Sequence, residues 1–457
     1  MRVVAVRSFA CPLDSYLPHL AGAWRAYLAS VAPAGVAAAP PAGPRLSDAE
    51  LFEAASAVKT LSRGLTRERG LAGSPYMEDP RLLGGYLLFY WPVSYAQTWA
   101  ALLSAGLAPG LAAGHGDGGR PSVRRALDIG SGPGPAAFAL LDAGCPEVTA
   151  VDRSPAALEL LSDVARRAGR RVDTEVYDIG RGGGVPSGRY DLITAVHVLN
   201  ELWPDRLDRI DLRRKLLQRL SAVLAPGGRF LIVDPALTST ANDAITLRDE
   251  LAGLGWRVHA PCTRSGPCPA LPDGTCHAEV AWEPPVPVIR LAHAARIGRE
   301  ELDFSYFLLE PPEPGAHNAA AERKPAILVP AGGGPGVPEG LWRVVSDRFL
   351  AKSGRLRFLV CGPEGRIPFS MDGKSHWPVS KTFRALRRGD LIRIAEAERR
   401  ATGLGLAEKT VLQIVSRTPE LSCREPESGR GPAPRRPPER HGPTHRVFRK
   451  KGRRPTG

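Results

Sequence analysis

Residues 127–134 read LDIGSGPG, and this stretch decides the fold. An apolar strand pattern runs into a turn with glycine at every second position, and residues 135–144, PAAFALLDAG, follow with the composition of a helix. Gly130, Gly132 and Gly134 have no side chain, so the backbone can turn sharply there and lie against a ligand. A strand, a glycine-rich turn and a helix in this order indicate a nucleotide-type binding site.

Carboxylates stand beside this turn, at the predicted ends of three strands. Asp128 precedes the first glycine, Asp152 closes EVTAVD and Asp178 closes VYD. Ligands of parallel sheets bind at the carboxyl ends of the strands, so all three are candidate ligand contacts. We expect Asp128 to accept a hydrogen bond from the amino group of a cationic amino-acid moiety, and Asp152 to bind both hydroxyls of a ribose. Asp178 would lie near an adenine amino group, and Ser131 completes the loop.

Residues 123–235 as a whole resemble the class I S-adenosylmethionine-dependent methyltransferases. Strand and helix patterns alternate there, which predicts a mostly parallel sheet covered by helices. The predicted fold class is α/β, a Rossmann-like parallel sheet with an N-terminal helical region, a cysteine-rich insertion and a small C-terminal β-rich lobe. The predicted segments are the helical region 1–120, the S-adenosylmethionine-binding domain 121–255, the cysteine-rich segment 256–323, the β-rich lobe 324–416 and a disordered basic tail 417–457.

The catalytic candidates lie at the end of the predicted fourth strand, in AVHVLNEL at residues 195–202. Many nucleic-acid N-methyltransferases carry an Asp/Asn-Pro-Pro-aromatic loop at this position, and this sequence does not contain it. His197 and Asn200 can face the sulfonium or the methyl acceptor. They can equally be structural residues with satisfied hydrogen bonds, and the sequence leaves both interpretations open.

Three of the seven cysteines fall between residues 262 and 276, in CTRSGPCPALPDGTC. Cys262, Cys268 and Cys276 are separated by loops rich in proline and glycine that can wrap a compact metal centre. Tetrahedral zinc and four-iron clusters both need four ligands, and Cys361, at a strand end before Gly-Pro, is the candidate for the fourth. No Cys-x-x-Cys pair is present, and its absence favours an iron-sulfur cluster over zinc.

Other interpretations of these cysteines stay open. His277 could complete a zinc site, although it directly follows Cys276. The thiols could also be isolated and buried, and the dipeptide Pro-Cys before residue 263 resembles the nucleophile of pyrimidine C5-methyltransferases. Disulfides are disfavoured, because the cysteine count is odd and no secretion signal is visible.

The balance of charge favours a polyanionic partner. Lys and Arg number 61 against 47 Asp and Glu, although about a dozen of the basic residues lie in the predicted tail. No window approaches eighteen continuous apolar residues, so we expect no membrane span. The N-terminal residues show no strong Arg/Ser-rich leader, which favours the cytoplasm, with the mitochondrial matrix as the alternative.

Several motifs together resemble the methyltransferase-like ribosomal small-subunit assembly family, which has mitochondrial and bacterial members. They are LDIGSGPG, HVLNEL, LAPGGRFLIVDP, the cysteine-rich segment, LDFSYFLLE, RFLVCGPEG and SKTFRALRRGD. The resemblance implies a 4Fe-4S cluster on Cys262, Cys268, Cys276 and Cys361. It also implies an S-adenosylmethionine pocket lined by Asp128, Gly130, Gly132, Gly134 and Asp152, and a partner in the small ribosomal subunit and its rRNA.

Three functions follow from this resemblance and the residues. The first is an S-adenosylmethionine-dependent rRNA methyltransferase. The second is a non-catalytic assembly factor that binds rRNA phosphates through basic residues, for which the candidates are Lys381, Arg384, Arg387 and Arg388. The third is a zinc-stabilised small-molecule methyltransferase. In each case we expect a protein that is monomeric when it is off the ribosome.

Overall fold

The computed structural model describes residues 8–32, 43, 45–108, 123–181, 184–298, 301–313 and 340–423. The predicted disordered tail from residue 424 onward and most of the Gly/Pro-rich segment before residue 123 lie outside the described residues. The helices are α1 (Leu17–Val31), α2 (Asp48–Ser62), α3 (Pro80–Gly85), α4 (Trp91–Ser104), α5 (Pro135–Asp142), α6 (Pro155–Arg167), α7 (Arg209–Leu220), α8 (Thr238–Gly253), α9 (Val286–Ala295) and α10 (Pro378–Arg384). None of the helices in the described ranges has the length and apolar composition needed to cross a bilayer.

The strands form two sheets. Their bounds are β1 (Ser8–Ala10), β2 (Arg125–Ile129), β3 (Glu147–Asp152), β4 (Asp173–Val176), β5 (Tyr190–Val196), β6 (Leu224–Pro235), β7 (Arg257–Ala260), β8 (Ala278–Glu283), β9 (Glu301–Glu310), β10 (Leu341–Val344), β11 (Phe349–Leu350), β12 (Arg355–Gly362), β13 (Gly365–Asp372), β14 (Leu391–Ala395), β15 (Glu398–Arg400), β16 (Gly403–Gly405), β17 (Val411–Ser416) and β18 (Glu420–Ser422).

The first sheet has the order β1-β18-β8-β9-β6-β5-β2-β3-β4, with β7 also paired to β9. Strands β6, β5, β2, β3 and β4 are parallel, whereas β9 runs antiparallel beside β6. Apolar residues on the two faces of this sheet pack into separate clusters against the helices. A parallel sheet covered on both faces is what the alternating pattern predicts, and the α/β class is confirmed.

This sheet extends beyond the segment that the sequence assigns to it. Strands β7, β8 and β9 follow residue 255, in the predicted cysteine-rich segment, yet all three belong to the sheet. Strand β9 is almost wholly buried, and it satisfies the backbone groups along the edge of β6. Residues 417–423, which we expected in the tail, are also ordered, because Leu421 and Cys423 are buried and β18 pairs with β1 and β8.

The second sheet is the predicted β-rich lobe, with the order β15-β16-β13-β12-β10-β14-β17 and β11 paired to β12. Its inner face is apolar and includes Phe358, Val360, Phe369 and Met371. Phe383 of α10 packs edge-on against both phenylalanines, with ring centroids 5.3 and 5.0 Å away. The lobe therefore has its own core.

The N-terminal region is mainly helical, as predicted, and lies against the first sheet. Helix α4 is buried along nearly its whole length and packs on α5, and the Trp91 indole donates a hydrogen bond to the Pro133 carbonyl at 2.9 Å. Two π-helical turns, Arg63–Arg67 and Tyr86–Tyr90, interrupt the helices. Such turns are rare and frequently mark functional sites.

Candidate functional site

The glycine turn has the backbone that its sequence predicts. The φ angles of Gly130, Gly132 and Gly134 are +62°, +53° and +86°, values that residues with a Cβ rarely adopt. A Cβ at Gly130 would lie 2.3 Å from Cγ2 of Val198, so the turn is closed to larger residues by packing as well. Ser131 is buried within the turn, where its amide donates to the Val151 carbonyl at 3.1 Å.

Asp152 is fixed at the end of β3 by backbone amides. Its two carboxylate oxygens accept hydrogen bonds from the Gly132 and Ser154 amides, each at 2.8 Å. Burial raises the pKa of Asp152, and these amides oppose the shift by stabilising the anion. The carboxylate is thereby held in one orientation against the glycine turn.

Asp128 lies deeper, at the end of β2, and is 1 % exposed. Oδ1 accepts a hydrogen bond from the Thr194 hydroxyl at 2.6 Å, and Oδ2 is buried without a hydrogen-bond partner among the described residues. Burial raises the pKa of Asp128 to about 7, and the charge of Asp152 adds to the shift. A nearby cation would favour the charged form of this carboxyl group.

A cavity of about 300 Å³ opens at the carboxyl ends of the parallel strands. Gly130, Asp152 and Asp178 line one side of it. Asp178 is held by the Gly180 amide at 2.9 Å and by an ion pair with Arg181 at 3.2 Å. The predicted contacts to ribose and adenine therefore share one cavity, at the edge of the sheet where ligands of such folds bind.

The opposite wall comes from the N-terminal region, which sequence reasoning did not assign to the site. Tyr76, Tyr86 and Tyr90 line the cavity, and the rings of Tyr86 and Tyr90 stack with centroids 5.8 Å apart. Arg153, which follows β3, connects this region to the sheet by donating hydrogen bonds to the carbonyls of Gly73 and Ser74. The aromatic run YLLFYW, residues 86–91, was the available signal.

His197 and Asn200 both line the cavity. His197 has a φ of +58°, a strained value for a residue with a side chain, and its Nε2 lies 2.7 Å from Oε1 of Gln97. Asn200 donates to the His197 carbonyl and to Asp234, and its Oδ1 accepts from Arg69 at 2.9 Å. Asn200 is thus bonded within the protein through both atoms of its amide.

Glu201 is a cavity residue that sequence reasoning missed. Burial raises its pKa to about 7, and the charge of Arg69 and a hydrogen bond from the Tyr76 hydroxyl, at 3.3 Å, oppose the shift. Its neighbour Asn200 was selected because it follows the predicted fourth strand, where it can face the sulfonium or the methyl acceptor. The sequence carries no comparable signal that Glu201 faces inward.

The four candidate metal ligands are brought together from two sheets. Cys262, Cys268 and Cys276 line a second cavity, and Cys361 reaches them from β12, where its carbonyl accepts from the Thr263 hydroxyl at 3.0 Å. All four are free thiols. Burial raises the pKa of Cys276 and of Cys361 to about 12, and the neighbouring thiols add to both shifts. They are close enough to interact electrostatically.

A buried arginine holds the loop that carries these cysteines. Arg248 of α8 is 1 % exposed and donates to the carbonyls of Gly266 at 2.6 Å and Arg264 at 2.5 Å. Asp249 binds the Cys268 amide at 2.8 Å. Helix α8 therefore positions the loop through two adjacent charged side chains.

The four thiols suit a cluster better than a single ion. Thiolates around one zinc, with bonds of about 2.3 Å, must lie about 4 Å from one another. Among the described residues, the ligand atoms that lie mutually within 4.8 Å belong to His277, Glu279 and Asp303, and no three of the four sulfurs are so close. A cubane binds each sulfur at a different corner and so needs wider spacing. His277 itself faces Arg388, with Nε2 2.7 Å from Nη1.

The predicted RNA-binding residues are not equivalent. Lys381 and Arg384 are exposed on α10, and Arg384 donates to the carbonyls of Gly373 and Ser375. Arg387 is ion-paired with Glu420. Arg388 is mostly buried, where it contacts His277, Glu279 and Asp347. Of the four, Lys381 is the one whose side chain has no ion-pair or hydrogen-bond partner in the described part of the chain.

The order of strands, with one antiparallel strand beside a parallel sheet and a glycine turn after its first central strand, defines a protein of the class I methyltransferase fold. Within that class, the chain belongs to the family described as mitochondrial small ribosomal subunit Rsm22, whose profile matches residues 120–393. The family resemblance seen in the sequence is confirmed.

Solved structures with similar regions include several that are named as methyltransferases. They include an S-adenosylmethionine-dependent methyltransferase from Clostridium acetobutylicum (20 % identity, 30 % of this chain and 50 % of that chain, TM-score 0.22), TehB from Haemophilus influenzae (16 %, 41 % and 57 %, 0.27) and the amino pentose methyltransferase CalS10 from Micromonospora echinaspora (24 %, 29 % and 50 %, 0.22). The chain spans about half the length of these structures. No curated protein matches the chain significantly.

Proposed function

We propose that this protein binds S-adenosylmethionine and a 4Fe-4S cluster and acts on, or binds, the rRNA of the small ribosomal subunit. The observation that carries the cofactor assignment is the orientation of Asp152. Two backbone amides, one of them from the glycine turn, hold this carboxylate at the edge of the 300 Å³ cavity. An anion fixed beside a turn that admits no side chain suits a ribose diol.

Two further residues would bind the remaining parts of the cofactor, Asp178 in the cavity lining and Asp128 outside it. Asp178 lines the cavity and would accept a hydrogen bond from the adenine amino group. Asp128, with its unbonded Oδ2 and a pKa near 7, can lose its proton and neutralise the cationic amino group of the methionine moiety. When bound, the cofactor supplies an electrophilic methyl group. The protein would accelerate transfer chiefly by aligning the acceptor with that group beside His197.

The thiols of Cys262, Cys268, Cys276 and Cys361 would ligate the cluster. A bound cluster would crosslink four thiolates, and their coordination would offset the free energy needed to deprotonate thiols whose pKa values are raised. The link would join the loop after β7 to β12 and so hold the β-rich lobe against the first sheet. Their wide spacing supports a cluster rather than zinc.

A non-catalytic assembly factor is the second candidate. It is favoured by Asn200, whose amide is bonded to His197, Asp234 and Arg69 and so has little capacity left for a methyl acceptor. The family description names the small subunit and says nothing of methyl transfer. In this function the cofactor pocket would stabilise the fold, and basic residues such as Lys381 would bind rRNA phosphates.

The family description also bears on location. It names a mitochondrial subunit, which favours the mitochondrial matrix over the cytoplasm that the N-terminal residues suggest. The partner in either compartment would be the small ribosomal subunit, bound by one copy of the chain.

Calorimetric titration with S-adenosylmethionine tests the pocket. We expect the wild type to bind, and Asp152→Asn to bind about 100-fold more weakly, because the amide loses the charged acceptor for two ribose hydroxyls. Asp173→Asn, an exposed change on β4, is the matched control and should bind normally. Equal affinity of both variants would show that Asp152 does not bind the cofactor.

Labelled cofactor and small subunits from cells that lack the protein distinguish the two candidate functions. Label on rRNA supports the enzyme, and subunit binding without label supports the assembly factor. Transfer to small molecules with no subunit binding would instead favour the third function.

Iron, sulfide and zinc contents of anaerobically purified protein test the metal centre. We expect about four irons per chain in the wild type, none in Cys268→Ser, and full content in Cys145→Ser, a buried cysteine elsewhere in the fold. One zinc per chain, or no metal after anaerobic reconstitution, would overturn the cluster.

A further inference from the structure

The hairpin of β11 and β12 carries a cluster of basic residues. Residues 348–363, RFLAKSGRLRFLVCGP, contain four basic residues and no acidic residue. They begin with the exposed Arg348 and include Lys352 in the turn. This stretch lies outside the basic segment on α10 to which the sequence pointed.

The pleat of β12 separates its side chains into two sets. Phe358 and Val360 point into the core of the lobe, so Arg355, Arg357 and Leu359 point outward. Phe349 of β11 is directly opposite Arg357 in the antiparallel register and is 40 % exposed. Residues opposite each other across an antiparallel pair share a face, so an aromatic ring stands among the outward cations.

These cations form no close ion pairs with the residues that the structure describes, although Asp372 is opposite Arg355 on β13 and the charge of Arg355 lowers the pKa of Glu398. No described residue accepts a hydrogen bond from the side chain of Arg348, Lys352, Arg355 or Arg357, and none lies within ion-pair distance of them. Other arginines of the same lobe differ, because Arg399 is paired with Glu364 and Arg400 with Glu398. The Nε of Arg357 is moreover buried without a partner among the described residues.

We propose that this surface, formed by Arg348, Phe349, Lys352, Arg355 and Arg357 and named here the hairpin face, binds single-stranded RNA. Phe349 stacks on a base, and the cations bind the phosphates on either side. Aromatic rings interleaved with basic residues on an open β-sheet are the usual means of binding single strands without sequence preference. The inference rests on the proposed function and assigns a surface to its RNA partner.

A single strand fits this face better than a duplex or an acidic peptide. Arg355 and Arg357 stand two residues apart on one strand, about 7 Å, and follow an extended chain of phosphates. An unpaired base has a free face for the Phe349 ring, whereas bases in a duplex are already stacked. An acidic peptide would form ion pairs with the basic residues but would have no base to stack on the Phe349 ring.

Fluorescence anisotropy with a labelled single-stranded RNA of about 12 nucleotides tests the assignment on the full-length, metal-loaded protein. The variant Arg355→Ala/Arg357→Ala should bind at least about tenfold more weakly. The slope of log affinity against log salt should fall by about 1.4, because each lost phosphate contact to a single strand removes about 0.7. The control Arg166→Ala/Arg171→Ala removes two exposed charges from another surface and should bind as the wild type does.

The stacking contact has its own pair of variants. Phe349→Ala should weaken binding about tenfold with an unchanged salt slope, since stacking on an aromatic side chain releases no counterions. Phe52→Ala removes an exposed ring from α2 and should change nothing. Normal binding by both hairpin variants, or a preference for an acidic peptide over RNA, would overturn the hairpin face.

Binding of small subunits and of S-adenosylmethionine is measured in parallel. These measurements distinguish a failure of the hairpin face from a failure of the proposed function. If the wild type binds subunits and the hairpin variants bind them equally well, only the hairpin face is lost. A wild type that binds neither subunits nor RNA would remove the proposed function as well.

Discussion

The cavity at the strand ends and the cysteine site each rest on a buried arginine, and they differ in how the protein satisfies their functional groups. Arg213 of α7 donates to the carbonyls of Asn200 and Leu202 beneath the cavity. Arg248 of α8 does the same for Arg264 and Gly266 beneath the cysteine loop. The same device, an arginine bonded to loop carbonyls, supports both sites.

The functional groups of the two sites differ in how the protein satisfies them. The carboxylate of Asp152 already accepts two backbone hydrogen bonds. The thiols of Cys276 and Cys361 are buried near other thiols, and their raised pKa values mean that the thiolates needed for metal binding are disfavoured in the free protein. The carboxylate is therefore held as an anion by the fold, whereas the thiols would need the proposed metal centre to favour their thiolate forms.

The largest expected effect comes from removing the two arginines in turn. Arg248→Ala and Arg213→Ala should each lower the free energy of unfolding by about 3–5 kcal/mol, because each leaves buried loop carbonyls without a donor and removes one cation from a carboxylate, Asp249 or Asp243. Only Arg248→Ala should also lose iron. Guanidinium unfolding and iron content measure the two effects, and iron loss in both variants would mean that the sites are not independent.

Asp128, at the end of β2, allows a test in which stability is measured against pH. Burial raises its pKa from the usual 3.8 to about 7, so folding takes up a proton that the unfolded chain releases above about pH 4. Stability from this group is thus fully present below about pH 4 and is lost as the pH rises to 7. Asp128→Asn has no such proton. Its stability relative to the wild type should increase by up to about 4 kcal/mol between pH 4 and 7, at 1.36 kcal/mol per pKa unit.

Unfolding curves at a series of pH values measure this difference. Asp173→Asn, which changes an exposed carboxylate on β4, is the control. Its free energy of unfolding should differ from that of the wild type by a nearly constant amount across the pH range. Saturating S-adenosylmethionine should flatten the dependence for the wild type, because its cationic group would favour the ionised Asp128. A flat profile without cofactor would show that Asp128 is ionised throughout.

Two glycines with a left-handed backbone allow the cost of a steric contact to be measured separately from the cost of the backbone conformation. Gly130→Ala must tolerate a positive φ and a contact with Val198, so it should lower the free energy of unfolding by about 3 kcal/mol and block cofactor binding. Gly144 has a φ of +92° and open space where a Cβ would lie, so Gly144→Ala should cost about 1 kcal/mol and bind normally. Equal losses would mean that Val198 moves aside.

Of the residues that the sequence assigned to a ligand, Gly130, Asp152 and Asp178 line the cavity, and Asp128, Ser131, Gly132 and Gly134 do not. The aromatic side of the cavity was not predicted. The turn and Asp152 follow one another in the chain within a strand-turn-helix unit, so local spacing determines where they lie. The tyrosine wall comes from a helical region some forty residues earlier, and Tyr76 reaches the cavity only through tertiary packing. Helical periodicity indicates a buried face, and it does not identify what that face covers.

The cysteine site shows the same limit in another form. Three cysteines share one loop, and their spacing alone indicated a metal centre. Cys361 was selected as the fourth by its place at a strand end, and the structure brings it to the others across two sheets. Arg248 had no signal in the sequence, because an arginine in an amphipathic helix is ordinarily exposed. The strands β7 to β9 were likewise obscured, since the irregular cysteine loop divides them from the regular βα pattern.

The smallest expected effect concerns the hydroxyl of Tyr76. Tyr76→Phe keeps the ring, whose centroid lies 6.4 Å from that of Tyr86, and removes the donor 3.3 Å from Glu201. The free energy of unfolding should fall by about 1 kcal/mol, and the pKa of Glu201 should rise further, since that hydrogen bond lowers it. Cofactor affinity should stay within about threefold of the wild-type value, because the tyrosines would contact the ligand through the apolar surface of their rings. Tyr76→Ala, which removes the ring, should weaken binding much more. If the two variants weakened binding alike, the hydroxyl and Glu201 would form a polar contact to the ligand, and this side of the cavity would resemble the Asp152 side in depending on fixed charges.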